Sequence, residues 1–220
     1  MTTKTTKTTK TTKTTKTTEV EVTKEQLKKF KKDRKTFLMT TRFNNTTLKE
    51  NRTYLQKKEN IKCIYCAQYQ VATDIPLESH MFVLEMNNDT NRIAGIGLVR
   101  NHHFNYKYSV YENKAYHRYI YIGHYHIERK SMTVEEEVLM KYLDNKCFRG
   151  NRHLKRGRGL TQFPCPLLCY WSKKVDIVEK LKQMFKDRKD NKDNKDRKDN
   201  KDNKDNKDNK DNKSKKQKNK

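Results

Sequence analysis

The chain has 220 residues, with 52 Lys+Arg against 27 Asp+Glu and a formal net charge of +25. No run of about 18 apolar residues occurs, so the pattern holds no membrane-spanning helix. Five cysteines, an odd number, behind a Thr- and Lys-rich start argue against a secreted disulfide framework, and the expected setting is intracellular.

Residues 1–18 repeat Thr-Thr-Lys and carry +5, while residues 187–220 largely repeat Lys-Asp-Asn and carry +6. Neither offers apolar surface to offset the entropy of ordering, so both are expected to be disordered tails. Residues 19–186 keep +14 and are expected to form a single domain. That surface attracts phosphate polyanions.

Thr23-Lys24-Glu25-Gln26 is a capping box that opens a basic helix to about residue 35, with Leu27 and Phe30 as its thin apolar stripe. The period then changes to that of strands over 62–66, 81–86, 93–100 and 117–127. Gly95, Gly97 and Gly123 interrupt these runs, which suggests a sharply curled sheet or a barrel. A second box, Thr133-x-x-Glu136, opens a helix to about residue 144 with Val134, Val138, Leu139 and Tyr142 on its packing face. A third helix follows Ser172, with Val175, Val178, Leu181 and Phe185 on one side. The expected fold is therefore α+β: a small curled mixed β-sheet or barrel with three helices, flanked by disordered tails.

Residues 145–175 hold eight basic residues and no acid. Within them, Arg149, Arg152, Lys155, Arg156 and Arg158 surround Gly157 and Gly159, and glycine lets successive N–H groups converge on one phosphate oxygen. The plainer reading is a solvated basic loop. Arg42, Asn44, Arg100 and Asn101 would extend the patch, and Tyr119 and Tyr121 would stack unpaired bases. Those tyrosines could equally be half-buried core with wet hydroxyls. Cys63-x-x-Cys66 and Cys165-x-x-x-Cys169 could offer four thiolates to zinc, or could be small core residues. No nucleophile elbow, zincin helix or Walker loop occurs, so no catalytic residue and no cofactor is assigned. Glu85, in an otherwise apolar strand, is the carboxylate to watch.

The segment 37–164 resembles a family of uncharacterised proteins from large DNA viruses of protists. The likeness is carried by Thr41-Arg42-Phe43-Asn44-Asn45, Val83-Leu84-Glu85-Met86-Asn87-Asn88, Gly95-Ile96-Gly97-Leu98-Val99 and His153-Leu154-Lys155-Arg156-Gly157-Arg158-Gly159. That family brings no function. The strand with Gly95 and Gly97 is similar to those of PUA-like small β-barrels, a class in which RNA or modified-base binding is usual. The resulting expectation is a non-enzymatic nucleic-acid-binding module. The alternatives are a virion-associated structural protein, or an enzyme on nucleic acid using Glu85, Cys66 or a histidine.

Overall fold

In the computed structural model, which describes residues 22–105 and 108–190, the run Met81-Phe82-Val83-Leu84 occupies the middle of the largest sheet. The two repeat tails expected to be disordered lie almost wholly outside the described residues. The strands are β1 (Thr36–Phe43), β2 (Cys63–Ala67), β3 (His80–Asn87), β4 (Arg92–Arg100), β5 (Tyr119–Gly123), β6 (Tyr125–Glu128) and β7 (Thr161–Gln162). The helices are α1 (Lys24–Asp33), α2 (Asn45–Gln56), α3 (Val134–Phe148), α4 (Cys165–Ser172) and α5, over 177–190.

A mixed five-stranded sheet runs in the order β6-β4-β3-β1-β7, and β2 pairs with β5 in a separate antiparallel sheet. β1 and β3 are parallel, with Thr36 opposite His80, so the crossover between them carries α2 and β2. Every residue of β3 except His80 is buried. Both faces of this central strand are covered, which is why its sequence reads as a continuous apolar run.

One face of the five-stranded sheet presents Leu38, Phe82, Leu84 and Ile96 to α3, α4 and α5. The other presents Met39, Met81, Val83 and Val99 to the small sheet, with Leu48 and Leu55 of α2 packed alongside. The result is a layered α+β body, and the strands of the described residues do not close into a barrel. No helix among the described residues is long and apolar enough to cross a membrane.

Several expectations need correction. There are five helices rather than three among the described residues. α2 begins at a third capping box, in which Asn44 accepts from Thr47 N and Thr47 Oγ1 accepts from Asn44 N. The predicted strand over 117–127 is instead a 3-10 turn (Lys114–Arg118) followed by two strands in different sheets, which part at His124. α3 buries Met140, Leu143 and Cys147 and leaves Val134, Val138 and Tyr142 exposed, so of the expected packing face only Leu139 packs against the core. The folded body also passes 186, because Arg188 pairs with Glu136 at 2.6 Å.

The glycines have a cause other than curl. A Cβ at Gly97 would stand 1.9 Å from the Tyr65 hydroxyl oxygen. At Gly123 it would stand 2.1 Å from the Leu98 carbonyl oxygen. The small sheet crosses β4 so closely that these positions have no room for a side chain. At Gly95 a one-residue bulge in β4 faces Glu85, since Leu84 pairs with Ile96 but Met86 with Ile93.

Candidate functional site

Two arrangements of polar side chains stand out. The first is buried under the small sheet, where the bulge and the missing glycine side chains leave a trough along β4. Glu85, fully buried, lies in it. Its Oε1 accepts from the Tyr65 hydroxyl at 2.9 Å and from Arg52 Nη1 at 3.3 Å, and lies 3.1 Å from His126 Nε2. Its Oε2 accepts from Arg52 Nη2. Asn51, one residue before Arg52 on α2, donates to Ile64 O and to the Tyr111 hydroxyl.

Burial pushes the Glu85 carboxyl up, but His126 and Arg52 outweigh it and hold the group well below the ordinary carboxylate range. It is thus fixed as a carboxylate, with both oxygens engaged, and cannot donate a proton near neutrality. The nearby thiols are no better placed. Burial pushes Cys63 and Cys66 up to about 12, Cys63 with help from Glu85, so neither offers a thiolate at neutral pH. We expect native protein to react with a thiol reagent at pH 7.5 far more slowly than urea-unfolded chain. Rapid labelling of any one of the five buried thiols would contradict this.

The four cysteines considered for zinc are not gathered. Cys63 and Cys66 are three residues apart on one strand and so face opposite sides of it. Cys165 lies on α4 beside Arg34 Nη1 at 3.4 Å, and Cys169 faces the Gln26 carbonyl of α1. No group of three or more possible metal ligands occurs among the described residues.

The second arrangement is the basic loop between α3 and β7. Its backbone is tied down from inside. Arg42 Nε donates to Leu154 O at 2.8 Å, Arg42 Nη1 donates to Thr161 Oγ1 at 2.7 Å, and Asn88 Nδ2 donates to Lys155 O at 3.3 Å. Gly157 lies directly against the Arg42 guanidinium, where a Cβ would fall 2.1 Å from Cζ. Burial pulls the Arg42 pKa down to about 10, which still leaves it charged at neutral pH. Arg42 is therefore the peg of the loop rather than one of its outward cations.

Outward, Arg149, Arg152, Arg156 and Arg158 are exposed. Lys155 is partly drawn back, its Nζ donating to Asn91 Oδ1 at 2.8 Å. Gly159, at φ +61°, approaches Ala67, the β-partner of Tyr119. Beside Ala67, Arg118 lies 5.6 Å over the Tyr119 ring and His103 packs on it at 5.0 Å.

The remaining expected contacts fall elsewhere. Tyr121 is buried, and its hydroxyl accepts from Val71 N at 3.0 Å, so its ring cannot meet a base. Asn44 is occupied as the cap of α2. Arg100 pairs with Glu78 at 3.5 Å, and the buried Asn101 donates to Ile75 O at 2.8 Å. Both lie at the far end of β4 from the Asn91–Lys155 contact, at least roughly 30 Å along the strand at about 3.4 Å per residue. The Glu85 partners were not legible in sequence, because Arg52 stands on α2, which no expected element covered, and His126 on β6, which the expected strand over 117–127 merged with β5. No family model, no curated protein and no solved structure matches this chain.

Proposed function

We propose that this chain is a nucleic-acid-binding module whose basic loop grips phosphates. One observation carries the reading. The loop is fixed from beneath by Arg42 and Asn88, while the exposed side chains of Arg149, Arg156 and Arg158 project from it. Ordering those cations in advance lowers the entropy lost when phosphate binds. Tyr119, the strand partner of the Ala67 that Gly159 approaches, supplies a partly exposed ring beside Arg118. The likeness to PUA-like barrels and to proteins of large DNA viruses is compatible with this reading and forms part of the proposal.

A salt series on the full chain tests it. If six to eight phosphates are neutralised, log affinity falls against log salt with a slope of about −5 to −7. A triple variant, Arg149→Ala with Arg156→Ala and Arg158→Ala, should weaken binding and reduce the slope by about 3. An unchanged slope would place the phosphate contacts elsewhere on the chain and end the proposal for the loop.

A second reading, an enzyme on nucleic acid, is favoured by the convergence of Glu85, His126, Arg52 and Tyr65. The closed carboxylate weighs against it, because no substrate atom can reach Glu85 without displacing Arg52 or His126.

A further inference from the structure

Along α3, Val134, Val138 and Tyr142 recur every four residues and stay exposed, Val138 by 63% and Tyr142 by 41%. Val138 and Tyr142 stand on one wall of an open cleft of about 1900 Å³, whose other sides come from α4, α5 and the start of the basic loop. Sites for small molecules measure about 300–1,000 Å³. The cleft is larger than that.

Aromatic rings line it. Tyr142 lies 5.2 Å from Trp171 with the rings inclined at 60°, and Tyr170 lines the same cleft. The charges along it are sorted. Lys146 and Arg149, in and after the last turn of α3, line it together with Lys174 from the α4–α5 connection. Near the start of α3 stand Glu135, Glu136 and Asp187, with Glu136 neutralised by Arg188. Lys146 Nζ lies 5.7 Å from the centre of the Tyr142 ring. Aromatic rings lining a cleft with cations beside them are what an unpaired nucleotide needs: the base stacks and its phosphate meets the ammonium or guanidinium. A duplex already stacks its bases internally and gains nothing from such rings.

We infer that this cleft receives bases of an unpaired nucleic-acid strand, on Tyr142 and Tyr170, with the flanking phosphates on Lys146, Arg149 and Lys174. The inference rests on the nucleic-acid reading above and adds to it the state of the strand and a second contact surface.

The test uses the full chain with a labelled twelve-residue oligothymidylate and a duplex of equal length, by anisotropy at one fixed salt. Trp171 is the only tryptophan, so its emission reports on the cleft. We expect the single strand to bind more tightly than the duplex and to change that emission. Tyr142→Ala should weaken single-strand binding about tenfold while leaving duplex binding unchanged. Tyr142→Phe should behave as the parent, and a thermal melt should show each variant folded.

Arg156→Ala with Arg158→Ala should weaken both ligands. If that pair weakens binding while Tyr142→Ala does not, the cleft is not a base site, although the loop reading survives. If the parent binds neither oligonucleotide, the underlying reading falls as well. If Tyr142→Ala instead turns a dimer into a monomer in sedimentation, without altering single-strand affinity, the cleft is a contact between copies and the inference is overturned.

Discussion

Replacing Arg52 with Met should destabilise the protein by about 3–5 kcal/mol at pH 7, because it strands a fully buried carboxylate. In the parent, Glu85 is held ionised by His126 and Arg52 against the cost of burial. Its contribution to stability is complete above the ordinary value of 4.5 and declines as pH falls below it. Without Arg52, His126 and the Tyr65 hydroxyl still hold the carboxylate, but its pKa is depressed less than in the parent. The gap in urea midpoint between parent and variant should therefore be full at pH 7 and shrink only as pH falls below 4.5. Adding Glu85→Gln to Arg52→Met should recover much of the loss, since the amide needs no counter-ion. A variant that unfolds at the parent midpoint at pH 7 would show that Arg52 is not the partner that matters.

Gly123→Ala should cost about 3 kcal/mol or more, for a different reason. The added methyl would sit 2.1 Å from the Leu98 carbonyl oxygen and 2.6 Å from Cys63 Sγ. The first obstacle is backbone, so relief requires the small sheet to lift from β4. Lifting it also disturbs Tyr65, whose hydroxyl holds Glu85. Gly150→Ala is the control. Its φ of +78° carries the left-handed penalty, but nothing lies within 4 Å of the new atom. Its cost should be about 1–2 kcal/mol. Equal midpoint shifts for the two variants would refute the close-approach explanation.

The sequence displayed the parts that depend on local chemistry. The boxes at Thr23 and Thr133 mark true helix starts, because the capping bonds involve residues only three apart. β3 and β4 were legible from their apolar runs. α2 was missed because its box closes with Thr47 rather than a longer Glu or Gln. α3 misled because it has apolar residues on two sides, and periodicity cannot say which side the sheet will cover. Gly97 and Gly123 were recognised as special, but their cause is a second layer lying across the strand, which no spacing along the chain reveals. At the candidate site, the acid-free loop was plain from composition. That Arg42 would serve as its inner peg depends on β1 and β7 meeting across more than a hundred residues, Met39 opposite Gln162.

That same pairing shapes how the protein is made. By the time the ribosome reaches residue 100, the strands carrying Leu38, Phe82, Leu84 and Ile96 have been synthesised. The helices that cover those side chains lie between residues 134 and 190, and β1 has no neighbour on its outer edge until residue 162. At about 5–20 residues per second, a nascent chain leaves a greasy plane and an open strand border uncovered for roughly 5–20 s. During that interval a chaperone has something to hold, and a crowded polysome has something to tangle.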